Sequence, residues 1–140
     1  MAKTIELHFT SDPPMLSVMR AAITKVCEIA EFDQRDTSKI VLALDEACSN
    51  IIRHAYGGKS GESIPIVCRI KPRRLEFHLY DHGIPLNIAD IRSRPLEELR
   101  PGGLGVYLMR NVMDQVKFED GTEDGNHLFM YKLRPKRKTA

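Results

Sequence analysis

Between Thr4 and Thr10 apolar and polar residues alternate, with Ile5, Leu7 and Phe9 on one side and Glu6 and His8 on the other, which predicts a strand with one buried face. The period then lengthens. Leu16, Met19, Ile23, Val26, Cys27 and Ala30 recur at helical spacing, behind Ser11 and Asp12, which offer a cap ahead of Pro13. FDQRDTSK, residues 32 to 39, is a polar break with caps available at Asp33 and Asp36, after which Ile40, Leu44, Ala47 and Ile51 restore the helical period. Gly57 and Gly58 predict a stop near Tyr56. Two strands follow, Ser63 to Ile70 and Leu75 to Tyr80, joined by KPRR, and Leu75, Phe77 and Leu79 alternate with Glu76, His78 and Tyr80. From Asp81 to Gly103 the pattern is irregular, with at most a short helical piece near Leu96 to Leu99, and a connection that long in a compact domain suggests a lid or binding loop. Leu104, Leu108 and Val112 predict a helix reaching Asp114, and strands at Val116 to Glu119 and His127 to Leu133 flank the turn EDGTEDGN. The order predicts an α+β fold, a sheet covered on one face by helices, with adjacent strands paired antiparallel and one crossover.

Composition narrows this to one domain spanning residues 1 to 140, since 42% hydrophobic and 29% charged residues describe a packed globular chain and exclude a fibre or a disordered segment. No apolar run approaches the roughly 20 residues that span a bilayer, and MAKTIELHF lacks a basic segment followed by an apolar stretch, so a cytoplasmic location without membrane contact is expected. Cys27, Cys48 and Cys68 form no CxxC pair and stand in apolar surroundings, which points to buried reduced thiols. The net charge of +2 conceals an asymmetry, because Lys132, Arg134, Lys136, Arg137 and Lys138 crowd the last nine residues and leave the rest net acidic. The basic tail, residues 134 to 140, reads as solvated. No aromatic-rich basic groove accompanies it, so no direct nucleic-acid role is expected.

Three short stretches could carry chemistry. At about 100° per residue, Glu46, Asn50 and His54 share a file turned away from the apolar arc of Ile40, Val41, Leu44, Cys48, Ile51 and Ile52. Such a file is either a solvated helix face or a row of ligands. Ala43 and Ala47 border it and leave room for something to lie against it. A carboxylate at Glu46 could take a proton from an attacking hydroxyl, and the amide oxygen of Asn50 suits Mg²⁺, a hard cation; His54 fits a structural hydrogen bond near the helix end better than catalysis. In YDHGIP, residues 80 to 85, Asp81 follows a buried strand and Gly83 lets the backbone bend close to a ligand. Asp81 could accept from an adenine amino group, or close a turn on its own backbone. In RPGGLGVYLMRN, residues 100 to 111, a glycine cluster runs into a helix whose exposed N–H groups favour a phosphate. The Walker GxxxxGK pattern and the protein-kinase HRD and DFG elements are absent.

Together and in this order, EACSNIIRHAYGG resembles the N box, DHGIP the first glycine box and GGLGVYLMRNVMD the second glycine box of the GHKL ATPase superfamily. Within it they look most like the bacterial anti-sigma-factor serine kinases of partner-switching systems, and the resemblance covers nearly the whole chain. DHGIP stands where sensor histidine kinases commonly show DxGxG, and the chain has no room for their dimerisation helices and phosphoacceptor histidine. The resemblance implies the Bergerat-type ATP-binding fold, a two-layer α/β sandwich with a mixed, mostly antiparallel sheet covered on one face by helices. It assigns Glu46 as general base, Asn50 as Mg²⁺ ligand, Asp81 as adenine contact with Gly83 beside it, and residues 86 to 101 as the lid. The run Gly102, Gly103, Leu104 and Gly105 would bring backbone N–H groups to the phosphates of ATP. Arg100 would stabilise charge there or be a solvated lid arginine. The implied reaction moves the γ-phosphoryl of Mg-ATP to a serine or threonine of an anti-anti-sigma protein of the STAS type, and the implied second partner is a sigma factor held by this chain. A non-catalytic switch, in which nucleotide only biases partner binding, is the other functional class. Family members often dimerise, and the apolar stripe of the first helix could serve a homodimer contact or core packing equally well. Ile51 after Asn50 and Asp45 before Glu46 depart from the family pattern without removing a functional group.

Overall fold

The computed structural model describes residues 2–87 and 104–136, excepting the side chains of Leu104 and Asp120. The expected helical piece at Leu96 to Leu99, most of the lid, and Arg100, Gly102 and Gly103 lie outside those residues. The chain runs β1 (Lys3–Thr10), α1 (Met15–Ile29), α2 (Gln34–Asn50), a π-helical turn (Ile51–Ala55), β2 (Ser63–Ile70), β3 (Arg74–Asp81), α3 (Leu104–Val112), β4 (Gln115–Thr122) and β5 (Gly125–Leu133). The strands form one sheet in the order β1-β2-β3-β5-β4. Every pairing among the described residues is antiparallel, so the sheet is not mixed; the one rearrangement is that β5 inserts between β3 and β4.

Alternation fixes which face meets the helices. Ile5, Leu7 and Phe9 pair with Cys68, Ile66 and Ile64, and with Leu75, Phe77, Leu79, Leu128 and Met130 they make the sheet's side of the core. Met19, Ile23, Val26 and Cys27 of α1 and Ile40, Leu44, Ala47 and Cys48 of α2 fill the other side. The α1 stripe is therefore core, and its buried residues are not available for a homodimer contact. All three cysteines are unpaired and buried, and burial pushes each thiol up to about 12, which keeps it protonated and inert.

Two helix ends depart from the sequence reading. At the start of α1 neither Ser11 nor Asp12 caps with its side chain; the N-cap is Pro14, and the Met15 N–H bonds the Asp12 carbonyl. The buried Ser11 hydroxyl instead donates to the Lys59 carbonyl and accepts from the Glu62 N–H, tying the chain after β1 to the approach to β2. Asp33 does cap α2, accepting from the Asp36 N–H at 2.7 Å. That helix does not continue in α form to Tyr56. It widens after Asn50, with the Tyr56 N–H bonded to the Ile51 carbonyl five residues back.

The sheet face turned away from the helices carries a chain of titratable groups. His127 Nδ1 meets Glu119 at 3.0 Å and His127 Nε2 meets His78 Nδ1 at 2.9 Å, so with both rings neutral the shared proton sits on His78. Burial, reinforced by the neighbouring His127, lowers the His78 pKa below its ordinary 6.5. The unfolded chain then takes up this proton first, so stability is full above about pH 6.5 and declines as the pH falls through it. Thermal melts from about pH 8 to about pH 5 should show Tm falling across this window, less steeply in His78→Gln. An unchanged slope in the variant would assign the loss to other groups.

Candidate nucleotide site

Helix α2 ends with Glu46 and Asn50 one turn apart, both half-buried, and the first turn of α3 lies against them. A Cβ on Gly105 would stand 2.9 Å from Glu46 Oε2 and 3.2 Å from Asn50 Nδ2. Only a glycine allows the backbone this close without moving a side chain. The room beside Ala43 and Ala47 is occupied by protein, since both alanines are buried and α3 packs on α2. Asp45, next to Glu46, is held away as the partner of Arg20 on α1 at 2.9 Å, so it does not add a second carboxylate to the site.

The π-helical turn serves the second motif. The Ala55 carbonyl, left without an intrahelical donor at the helix end, accepts from the Ile84 N–H at 2.8 Å. Gly83 backs directly onto it: a Cβ there would lie 2.2 Å from the Ala55 oxygen. Tyr56, the next residue, donates its hydroxyl proton to the Ser63 carbonyl and accepts from the His82 N–H at 2.8 Å. Burial raises the Tyr56 pKa, which keeps the phenol a neutral donor. His54 lies in that widened turn; it is exposed and borders the same cavity as Asn50.

Asp81 ends β3, the central strand, and is 5% exposed. Its Oδ1 accepts from the Gly83 N–H at 2.9 Å, the backbone turn that was one of the two sequence readings, and from Asn126 Nδ2 at 2.8 Å. Asn126 is the site residue the sequence reading missed. The signal was its place in the alternation of β5, where Asn126, Leu128 and Met130 all face inward and only the first is polar. The cavity beside these groups is about 210 Å³, with Ile51, Ile84, Leu86, Phe118 and Leu128 as apolar walls and Asp81 as a buried acceptor. That is below the roughly 300–1,000 Å³ of small-molecule sites and suits one flat ring system, with the rest of a ligand running out past Asn50. Glu46 does not line this cavity; it stands one helical turn beyond Asn50, against the first turn of α3.

Asn50 and Asp81 thus share one cavity, Glu46, Asn50 and Gly105 meet at the start of α3, and Gly83 supports Asp81 from behind. Among the described residues no cluster of three His, Cys, Asp or Glu could hold a metal by itself. The Asn50 amide oxygen, which accepts from Arg53 at 3.4 Å, is a hard oxygen of the kind that holds Mg²⁺ by one or two protein contacts while ligand phosphates supply others. A larger depression of about 940 Å³ lies at the other end of β3, around Arg73 and Arg134. The Arg134 guanidinium is engaged with the Ala30 and Lys71 carbonyls, so it serves the fold. No helix among the described residues is long and apolar enough to cross a membrane.

Residues 9–132 match the model of the histidine kinase-like ATPase domain. Serine-protein kinase RsbW of Bacillus mycoides is 31% identical over 121 residues, covering 81% of this chain and 75% of that protein, and RsbW of Bacillus cereus (strain AH820) matches to the same extent. Among solved structures, the RsbU and RsbW domains of Rv1364c from Mycobacterium tuberculosis superpose with a TM-score of 0.69 at 15% identity. That match covers 99% of this chain and 34% of the solved one, and at that identity it speaks for the fold.

Proposed function

The chain belongs to the histidine kinase-like ATPase domain family, and we propose that within it the chain is an anti-sigma factor and serine/threonine protein kinase. It would use Mg-ATP to phosphorylate an anti-anti-sigma antagonist of the STAS type, hold a sigma factor when that antagonist is phosphorylated, and act in the cytoplasm. The relatives named as serine-protein kinases support the class of reaction. The observation that carries the reading is the meeting of Glu46, Asn50 and Gly105 at the start of α3, beside a cavity with Asp81 as its buried acceptor.

Each residue then has a role its surroundings allow. Asp81 accepts from the base amino group, while Ile51, Phe118 and Leu128 cover the ring and exclude water. Asn50 offers its amide oxygen to Mg²⁺, which when bound would neutralise phosphate charge. The N–H groups that open α3 face the phosphates, with their approach secured by the bare Cα of Gly105. Glu46 takes the proton of the attacking hydroxyl. Positioning and charge stabilisation supply most of the acceleration in such transfers, which suits a site with no covalent nucleophile. Gly102, Gly103 and Arg100 belong to this proposal through the family resemblance alone, as contacts to the phosphates.

The test is to recover the protein with the STAS-type antagonist that co-purifies, add Mg-ATP, and read the antagonist by mass spectrometry. One added phosphoryl group on a serine or threonine is the expected result. An antagonist that binds but stays unmodified, under conditions where ATP is bound, would contradict the kinase reading.

A further inference from the structure

Leu42 stands on α2 one turn before Glu46 and two turns before Asn50, and it is 46% exposed, the one large apolar side chain that this helix gives to solvent. Arg35, Ser38 and Lys39 around it are exposed and polar, as a solvated helix face should be. At about 100° per residue Leu42 points straight away from the buried arc of Ile40, Leu44, Ala47 and Cys48. One turn on, Glu46 flanks it on the side of α3, and Asp45, held by Arg20 at 2.9 Å, flanks it on the side of α1. A lone exposed leucine is ordinary on a protein surface. What singles this one out is its place relative to the base.

The cavity for the ring is bordered by Asn50, the first turn of α3 lies against Asn50 and Glu46, and Glu46 stands one turn farther from the cavity. Phosphoryl transfer keeps the attacking and leaving oxygens roughly in line, so the hydroxyl enters from the side opposite the nucleotide. On α2 that side is the turn that carries Leu42, about 6 Å beyond Glu46 at the rise of a helix. We infer that Leu42 is a specificity-determining residue for the protein substrate: it takes an apolar side chain lying about 6 Å from the acceptor hydroxyl on the surface of the antagonist. The inference rests on the proposed kinase reading and deepens it. A competing protein with a polar group at that place would bury it against Leu42 without a partner, a cost of the kind that separates substrates. Leu42 does not line the cavity for the ring, so nucleotide affinity is independent of it.

Leu42→Gln and Leu42→Met test this in the transfer assay with the co-purified antagonist, with ATP calorimetry on the same preparations. Glutamine removes the apolar surface, suits a helix and adds no charge beside Glu46, whereas methionine keeps the apolar surface. Leu42→Gln should raise the KM for the antagonist about tenfold and leave kcat and ATP affinity within about twofold; Leu42→Met should match wild type within about twofold. An unchanged KM in Leu42→Gln, a fall in kcat in its place, or a loss of ATP affinity would each overturn the inference while leaving the kinase reading intact. A wild type that binds ATP and transfers nothing to the antagonist would remove both.

Discussion

Glu46→Gln should lower phosphoryl transfer by about 10²–10⁴-fold while leaving ATP affinity within about twofold. Glutamine keeps the length and hydrogen-bonding shape of the side chain but cannot accept a proton from an attacking hydroxyl. Affinity should survive because Glu46 stands outside the base cavity, one turn beyond Asn50. Its neighbour Asp45 cannot take over, being paired with Arg20 at 2.9 Å. Single-turnover transfer to the antagonist and ATP calorimetry on the same preparation give the two numbers. Undiminished transfer would remove Glu46 from the base role. A wild type that binds ATP and never transfers would favour the non-catalytic switch.

Gly83→Ala should be the most damaging single methyl group in the site. The added Cβ would lie 2.2 Å from the Ala55 oxygen and 2.4 Å from its carbon, both backbone atoms that cannot swing away. Relief requires the Asp81 turn to lift off the π-helical turn, which breaks the bond from the Ile84 N–H to the Ala55 carbonyl and strips Asp81 of its backbone donor. Overpacking plus an unsatisfied buried group should cost about 2–4 kcal/mol in urea denaturation, with ATP binding lost as well. Gly105→Ala is the informative contrast. Its Cβ would meet the far end of the Glu46 side chain at 2.9 Å, which can move, so stability should change little while transfer falls. If Gly83→Ala were as stable as wild type, the packing of the Asp81 turn on the helix end would not be what shapes the site.

Where one physical signal dominates, the sequence was a reliable guide. The alternation of Leu75, Phe77 and Leu79 against Glu76, His78 and Tyr80 gave β3 its inner and outer faces, because a strand covered by one helical layer imposes a period of two; Glu76 is buried all the same, paired with Lys71 and Arg74. Asp33 announced the start of α2 through a side chain that has one local bond to make. The failures share a different cause. Ser11 looked like a cap, yet its partners, Lys59 and Glu62, are some fifty residues away in sequence, and local chemistry carries no trace of them. The second helix does end at Tyr56, but its last turn is π-helical, and helical period alone gave no sign of that change of pitch. Glu46 and Asn50 were legible as a pair, but taken alone they read first as a wet surface; the structure sets both, half-buried, against Gly105. Asn126 was hidden for the converse reason. A lone asparagine after a turn is ordinary; its place on the inner face of β5 was the one signal, and what it meets there is set by the register that puts it opposite Asp81.

Titration of the folded protein with ATP in the presence of Mg²⁺ tests the central claim most directly, with Asp81→Asn as the paired variant. One ATP should bind per chain, and in Asp81→Asn, where the buried acceptor is replaced by an amide, affinity should fall by about tenfold or more. A wild-type protein that is folded by circular dichroism and takes up no ATP would contradict the claim.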